Sequence, residues 1–297
     1  MKSKELCLWI DGEIARLPEQ LRPQAERIRE EIQTTINATA LDVAEEHESH
    51  RRTAREMYHE LNDGFALVAE KGRGVVYFGS ARTNPGEAFY EDARELGREI
   101  FLLLRSTSWS GAGPGQMQAA LEGAKEVGGP IAGVKIRLEE HQAAKEQKIS
   151  PVFDSLDEVV VCDHFDPRKT VLTDAGWPEQ QRQEHGAFVF LPGAAGTLDE
   201  FFEICVLQQL KKVGRNKRQL VPIILMNYDN FYYHLLQQLQ MCVSHEMIGQ
   251  DELDHLFRAC ETNEQALDFL ADFYHIPAEQ RNYKGHLRSI VDPEASI

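Results

Sequence analysis

The chain has 297 residues, of which 42% are hydrophobic and 27% charged, and its formal net charge at pH 7 is −16. This composition is ordinary for a globular protein, and the length accommodates one α/β domain with an appendage. The acidic excess argues against nucleic acid as a partner, and no apolar run approaches the roughly 20 residues that a membrane span requires. The apolar core near the N-terminus is too short for a signal peptide, so we expect a cytoplasmic protein.

One basic cluster, KKVGRNKR at residues 211–218, stands out against the acidic background. It lies between a predicted helix and a predicted strand, and its first lysines would complement the dipole at the end of that helix. We therefore interpret it as a solvated loop. The alternative is a patch that binds a polyanion.

The five cysteines are scattered through the chain, and their number is odd. They show neither the spacing of a zinc site nor the arrangement of a disulfide framework. The motif HESH at residues 47–50 lies in a strongly polar helical stretch, and we interpret it as solvated surface. No metal centre is expected.

The first 72 residues predict a helical extension. This segment is rich in Glu, Arg, Gln and Ala, and its apolar positions recur at helical spacing. It contains no recognisable catalytic constellation. We expect the extension to pack on the core or to mediate assembly.

From Gly74 onward, short apolar strands alternate with amphipathic helices. Strands are predicted over residues 74–80, 106–115 (running into a glycine turn), 130–136, 156–163, 186–193 and 219–227. Helices are predicted over residues 86–104, 116–129, 197–214, 231–245, 250–260 and 263–274. This alternation is typical of βαβ units, so we predict an α/β domain over residues 73–280, with a parallel sheet covered by helices on both faces. A tail with little pattern follows over residues 281–297.

Three predicted strands end in turns that carry glycine: Gly79-Ser80, Gly111–Gly115 and Pro192–Thr197. In parallel sheets, ligands bind beyond the carboxyl ends of the strands, so these turns are predicted to line one crevice. The second turn, SGAGPGQM, is neither a Walker A loop nor a dinucleotide fingerprint. Glycines there would let the backbone approach an anion at the start of a helix, and the alternative is a merely tight turn.

The turn PGAAGTLDE combines an anion site with carboxylates. We expect Thr197 to cap the following helix and the N–H groups of Gly196 and Thr197 to point into the crevice. Asp199 is explained by the helix dipole, but a carboxylate beside an anion site also suits a ligand with two different ends. A nucleotide is such a ligand, because cleavage of its N-glycosidic bond builds positive charge on the sugar next to an anionic phosphate. A carboxylate there stabilises that charge, holds ribose hydroxyls or activates water.

Two cations follow the predicted strand that ends at Asp163. Arg168 and Lys169 come directly after Pro167, a residue that favours a helix start. Arg168 could form a fork to a phosphate or polarise a departing base. The alternative is a surface cation that balances the neighbouring aspartates.

Together these motifs resemble the Lonely Guy family, whose signature is PGGxGTxxE with an upstream Arg-Lys pair on a Rossmann-like fold. PGAAGTLDE and PRK match that signature, and the resemblance extends in order over residues 74–245. It implies a Rossmann-like, doubly wound, mostly parallel sheet. It also implies hydrolysis of nucleoside 5′-monophosphates, AMP-like or cytokinin ribotides, to free base and ribose 5-phosphate. We expect such a hydrolysis to need no metal or organic cofactor, because the leaving base and the sugar phosphate carry their own handles. Members of the family are dimers or larger, so we expect a homodimer or a larger homo-oligomer.

The resemblance also assigns site residues. Glu200 would be the catalytic carboxylate and Arg168 its cationic partner. The predicted substrate and phosphate contacts are Ser80, Arg82, Gly113, Gly115, Gln118, Lys169, Gly193, Gly196 and Thr197.

Three positions depart from the family pattern: Ala194 and Ala112 replace glycines, and Gln118 replaces a common glutamate. The alternative function is therefore a nucleotide sensor or carrier that has lost turnover. Lysine decarboxylation, an older label of the family, normally needs a pyridoxal Schiff-base lysine. No lysine of this sequence stands in a recognisable setting for that chemistry.

Overall fold

In a computed structural model, the protein is described over residues 11–16, 18–19, 22–137, 150–178, 184–212 and 220–287. The chain divides into two compact units, Met1–Met57 and Tyr58–Ile297. Most of the basic cluster at residues 211–218 and most of the tail predicted over residues 281–297 lie outside the described residues.

The predicted N-terminal extension is mostly helical over its described residues. Helix α1, Arg22–Lys71, begins in the first unit and ends in the second. Residues 11–15 of the first unit are also helical, and Arg29 Nε donates to Asp11 Oδ1 at 2.8 Å.

The second unit contains a seven-stranded sheet in the order β4-β3-β2-β1-β5-β6-β7, and every neighbouring pair is parallel. Its strands are β1 Gly74–Phe78, β2 Thr107–Ser110, β3 Ile131–Ile136, β4 Val159–Cys162, β5 Ala187–Phe190, β6 Ile223–Met226 and β7 Arg258–Cys260. The direction of strand addition reverses between β1 and β5, which pair with Val76 opposite Phe188. This is the switch point at which a doubly wound sheet opens its ligand crevice.

Helices cover both faces of this sheet, as predicted. They are α2 Ala88–Leu104, α3 Gln116–Glu126, α4 Phe165–Gly176, α5 Ala195–Gln209, α6 Tyr233–Ser244, α7 Gln250–Leu256 and α8 Asn263–Phe273. One apolar layer joins the sheet to α2, α3 and α8, and the other joins it to α4, α5 and the end of α1. The Rossmann-like, doubly wound α/β fold is therefore confirmed.

Strand β1 shows why these segments are apolar throughout rather than alternating. Val75 and Tyr77 enter one apolar layer, whereas Val76 and Phe78 enter the other. All five residues of β1 are buried. A central parallel strand has no solvent-facing side, so its sequence is a continuous apolar run.

The last strand was missed by the sequence pattern. The helix predicted over residues 250–260 is wrong at its end, because α7 stops at Leu256 and residues 258–260 form β7 beside β6. Phe257 is extended, with φ −156° and ψ 167°, and Cys260 is buried against the core. Three residues are too few to display the alternation by which a strand is recognised.

Among the described residues, the structure has no helix that is both long enough and apolar enough to cross a membrane.

Candidate active site

The three predicted turns meet at the carboxyl edge of the sheet. The Ser80 N–H donates to the Pro192 carbonyl at 3.1 Å, and the Gln116 N–H donates to the Ser80 carbonyl at 3.0 Å. The Gln116 side chain closes the arrangement, because its Nε2 donates to the Pro192 carbonyl at 2.7 Å. The turns after β1, β2 and β5 therefore form one hydrogen-bonded frame. Gln116, which sequence reasoning did not single out, is its central link.

Glycine is required in the turn between β2 and α3. Gly115 has φ +74°, and a Cβ atom at this position would overlap the Ser80 carbonyl oxygen. Gly113 is buried, and a Cβ atom there would lie 2.7 Å from Met117 Cε and 3.9 Å from Lys135 Nζ. Lys135 is itself buried, so a buried lysine lies close to this turn. The sequence pattern did not indicate this contact.

The third turn starts its helix earlier than predicted. Helix α5 begins at Ala195, and Ala194 is the N-cap, so the expectation that Thr197 caps the helix is wrong. Thr197 instead lies buried in the first helical turn, where its hydroxyl occupies the space that a Cβ at Gly193 would fill. Gly196 is exposed, with nothing within 4 Å of an added Cβ. The first N–H groups of α5 have no partner inside the helix, and alanine gives them no side-chain cap.

Tyr232 fixes the backbone just before α5. Its hydroxyl donates to the Leu191 carbonyl at 2.8 Å and accepts the Gly193 N–H at 2.9 Å. The Gly193 N–H is thus used inside the protein. Tyr232 is buried, and it enters from the segment before α6, about 40 residues along the chain.

A buried ion pair joins α4 to α5 beside these turns. Arg168 Nη1 donates to Glu200 Oε1, and the two side chains are only 8% and 7% exposed. The guanidinium also touches the β2–α3 turn, since a Cβ at Gly111 would overlap Arg168 Nη2. Within the described part of the chain, Arg168 Nε is buried without a hydrogen-bond partner. The structure thus brings together the two residues predicted to be catalytic.

Burial raises the pKa of Glu200, and the Arg168 guanidinium opposes this effect without cancelling it. A carboxyl group with a raised pKa holds a proton more readily than an exposed one. Such a group suits acid–base work at higher pH than an exposed glutamate does.

A second set of ion pairs lies beside the first. Lys169 Nζ is 3.0 Å from Asp199 Oδ2 and 2.6 Å from Glu203 Oε2. Burial lowers the pKa of Lys169, but its hydrogen bonds to Glu203 and Asp199 outweigh that effect and the pKa is raised. Lys169 therefore stays protonated and balances the carboxylates at the start of α5.

The final turns of α1 hold the start of α4. Glu60 accepts the N–H groups of Asp163 and His164 at 2.9 and 3.2 Å, and its Oε1 lies 3.1 Å from His164 Nδ1. His164 is the N-cap residue of α4. A carboxylate at this point satisfies N–H groups at the positive end of the helix that carries Arg168. No sequence motif indicated this contact.

The other predicted site residues lie around the same edge. The Ser80 hydroxyl accepts the Arg82 N–H at 3.2 Å, and Arg82 is exposed. Gln118 lies in the first turn of α3, where its Nε2 donates to Glu122 Oε1 at 2.7 Å. Among the described residues, no three His, Cys, Asp or Glu side chains come together to hold a metal ion.

Comparison with known proteins identifies the family. Residues 117–270, just over half of the chain, match the family described as possible lysine decarboxylase. The chain belongs to this family, also called the Lonely Guy family.

Two curated relatives are similar to the chain. The chain is 29% identical over 180 residues to the cytokinin riboside 5′-monophosphate phosphoribohydrolase LOG of Oryza sativa subsp. japonica, which covers 60% of this chain and 64% of that protein. It is 26% identical over 168 residues to the cytokinin riboside 5′-monophosphate phosphoribohydrolase of Rhodococcoides fascians, and this match covers 57% of this chain and 74% of that protein. The match therefore spans less than two thirds of the rice relative.

Solved structures show a weaker likeness. The molybdenum cofactor binding protein from Rippkaea orientalis aligns at 16% identity and a TM-score of 0.43, over 68% of this chain and 98% of that one. The molybdenum cofactor carrier protein MCP from Chlamydomonas reinhardtii aligns at 16% identity and a TM-score of 0.43, over 69% of this chain and 99% of that one. Likenesses of this degree say nothing about the ligand of this chain.

The structure clarifies two departures from the Lonely Guy signature. Ala194 has φ −99°, a conformation that any residue adopts, so alanine is not strained there. Ala112 has φ +51°, in the left-handed region that favours glycine, and this strain costs about 1–2 kcal/mol. The backbone at position 112 thus keeps the shape of a glycine turn despite its alanine.

Proposed function

We propose that this protein hydrolyses the N-glycosidic bond of nucleoside 5′-monophosphates and releases a free base and ribose 5-phosphate. The observation that carries the proposal is the buried Arg168–Glu200 pair, which joins α4 to the second turn of α5, a helix whose N-terminus has no side-chain cap. This arrangement offers one ligand an anion site and a carboxylate together. The names of the two curated relatives support the same reaction class.

In the proposed complex, backbone N–H groups bind the phosphate. The start of α5, with Gly196 and Thr197, supplies N–H groups and the positive end of the helix dipole. The turn that contains Gly113 and Gly115 lies on the other side of the same hydrogen-bonded frame. Ser80, Arg82 and Lys169 add polar and cationic groups nearby, and Gly193 keeps room for Thr197. Gln118 is proposed to meet a ribose hydroxyl.

Glu200 and Arg168 are proposed to act on the sugar and the base. The bond between the anomeric carbon and the base nitrogen breaks, and positive charge develops on the sugar. Ionised Glu200 stabilises that charge and directs a water molecule to the anomeric carbon. The water oxygen bonds to that carbon, and one water proton is transferred to the departing base. Arg168 holds Glu200 and orients the substrate.

The raised pKa of Glu200 gives this mechanism a pH signature. Only the ionised carboxylate stabilises a cationic sugar, and burial keeps the group protonated at higher pH than an exposed glutamate. Base release should therefore fall as pH drops through the raised pKa of Glu200. The acid limb should lie above the ordinary glutamate pKa of about 4.3.

A base-release assay tests the proposal. The purified chain is incubated with AMP, GMP, IMP, CMP, UMP and an N6-substituted AMP, and the products are separated by chromatography. We expect free base from the wild type, no release from Glu200→Gln, and AMP binding retained in that variant. Glu203→Gln is the matched control, because Glu203 also pairs with α4 but is partly exposed.

The panel also separates the open alternatives. Release from AMP would favour general nucleotide breakdown, whereas release from the N6-substituted AMP alone would favour cytokinin ribotides. AMP binding without release from any substrate would support the alternative function, a nucleotide sensor or carrier. Unchanged turnover in Glu200→Gln would refute the proposed mechanism.

A homodimer or a larger homo-oligomer is proposed as well. One face of α5 is buried with Phe201 and Ile204, but Phe202 and Val206, together with the C-cap residue Leu210, form an exposed apolar stripe. An exposed stripe at a four-residue spacing is typical of a helix that packs on a partner. Size-exclusion chromatography with light scattering measures the mass, and a monomer at micromolar concentration would contradict this proposal.

The assignment of residues 1–72 to an extension, 73–280 to the catalytic domain and 281–297 to a tail stays a proposal, as does a cytoplasmic location. Limited proteolysis tests the domain limits, and cell fractionation tests the location.

A further inference from the structure

Phe165 is a partly exposed aromatic side chain next to Arg168 and Lys169. It is the first residue of α4, it follows β4 at the carboxyl edge of the sheet, and 43% of it is exposed. An exposed aromatic residue alone needs no functional explanation. Its neighbours distinguish this one.

Both cations of the site lie near this ring. Arg168 Cζ is 5.2 Å from the ring centre, and Lys169 Nζ is 5.8 Å from it. Arg168 reaches Glu200, and Lys169 reaches Asp199, so both cations contact the second turn of α5. The ring therefore borders the space between α4 and α5 rather than the outer edge of β4.

We propose that Phe165 is the platform on which the base of the bound nucleotide stacks. This inference rests on the proposed function. The base is attached to the anomeric carbon, which Glu200 must approach, and Arg168 stands between Glu200 and the Phe165 ring. A base that extends from the sugar toward Arg168 meets the exposed ring next.

The chemistry of the ring fits a nucleobase. Every base has a π-face, and stacking on an aromatic side chain requires no particular pattern of hydrogen bonds. The guanidinium within cation–π distance holds the ring in place. A purine covers more of the ring than a pyrimidine does, so Phe165 is proposed to favour purine nucleotides.

A purely structural role for Phe165 makes a different prediction. If the ring only packs against Arg168, its loss would disturb the ion pair and weaken every ligand of the crevice alike. A stacking platform affects only ligands that carry a base. Ribose 5-phosphate has the sugar and the phosphate without the base, so it separates the two roles.

Calorimetric titration of the full chain with AMP, CMP and ribose 5-phosphate tests the proposal. Phe165→Ala should weaken AMP binding about tenfold. It should weaken CMP binding less and change ribose 5-phosphate binding less than about twofold. Phe165→Tyr should keep the affinity for AMP. Tyr58→Ala is the matched control, because Tyr58 is 63% exposed on α1 and, among the described residues, its ring pairs only with the ring of its neighbour His59.

Three results would overturn the inference. Equal weakening of AMP and ribose 5-phosphate by Phe165→Ala would show a structural role, and no weakening of AMP would show that the base binds elsewhere. In both cases binding by the wild type would leave the proposed function standing. If the wild type binds neither AMP nor ribose 5-phosphate, the proposed function fails and this inference fails with it.

Discussion

Replacing Arg168 by methionine should expose the energetic cost of burying Glu200. Methionine keeps much of the length of the arginine stem but removes the charge that faces the carboxylate. Both side chains of the pair are at least nine-tenths buried. Removing one partner of a buried ion pair typically costs about 3–5 kcal/mol, because the other charge is left without compensation.

The double variant Arg168→Met/Glu200→Gln should recover most of that loss. A neutral pair of similar volume has no uncompensated charge, and such replacements are often close to neutral in stability. With a urea m-value of about 3 kcal/mol/M, the single variant should lose about 1 M or more in its unfolding midpoint. The double variant should return most of the way to the wild-type midpoint.

The pH dependence of the single variant gives an independent check. Burial raises the folded-state pKa of Glu200, and the loss of Arg168 removes a group that lowers it. The folded protein then binds the Glu200 proton more tightly than the unfolded chain, whose glutamate pKa is about 4.3. Stability contributed by this group therefore increases as pH falls from 7 toward that value. The deficit of Arg168→Met should be smaller at pH 5 than at pH 7.

Urea unfolding followed by tryptophan fluorescence measures these midpoints, since Trp109 and Trp177 are both buried in the layer that contains α4 and α5. Comparing each variant with wild type at the same pH cancels the titration of all other groups. Equal midpoints for the single and the double variant at pH 7 would refute the reasoning, because they would show that the two charges are not coupled.

Three further predictions concern the framework of the site. Tyr232→Phe leaves the Leu191 carbonyl and the Gly193 N–H without their hydrogen-bond partner, so the free energy of unfolding, measured in urea, should fall by about 1–3 kcal/mol. Wild-type stability would contradict this. In the same assay, Gly115→Ala should lower the free energy of unfolding by at least about 2 kcal/mol, because the residue has a positive φ and an added Cβ would overlap backbone atoms. Gly196→Ala should not lower it, because an added Cβ at this helical position meets open space. Glu60→Ala should lower kcat for base release more than Glu60→Gln does, because glutamine still accepts hydrogen bonds; equal rates would exclude this positioning role.

Most strands of the sheet could be predicted because buried parallel strands have a recognisable sequence pattern. The segments around β1 and β5 are continuous apolar runs that end in glycine-bearing turns, and both features follow from position at the centre of the sheet. The edge strand β7 does not have this pattern. It has three residues, and the first of them is exposed.

The site was predictable to the extent that its residues lie in local motifs. Arg168 and Glu200 each stand in a short signature, and their contact joins the two signatures. Gln116, Tyr232 and Glu60 act through partners tens to about a hundred residues away, so one sequence carries no sign of them. The wrong prediction that Thr197 is the N-cap had a local cause. Thr197 is the nearest residue whose side chain could cap a helix, but α5 begins after Ala194, which has no capping side chain.

The arrangement of charges explains how so acidic a chain could hold a phosphate. Three carboxylates stand in the first turns of α5, and each faces a cation of α4: Lys169 pairs with Asp199 and Glu203, and Arg168 pairs with Glu200. Three carboxylates and two cations leave these five side chains with a net charge of only −1 when all are ionised, although the whole chain carries −16. Attraction for an anion then comes from backbone N–H groups rather than from surplus basic side chains. This balance holds only while α4 keeps its position against α5, which makes the Glu60 contact at the start of α4 part of the site's electrostatics.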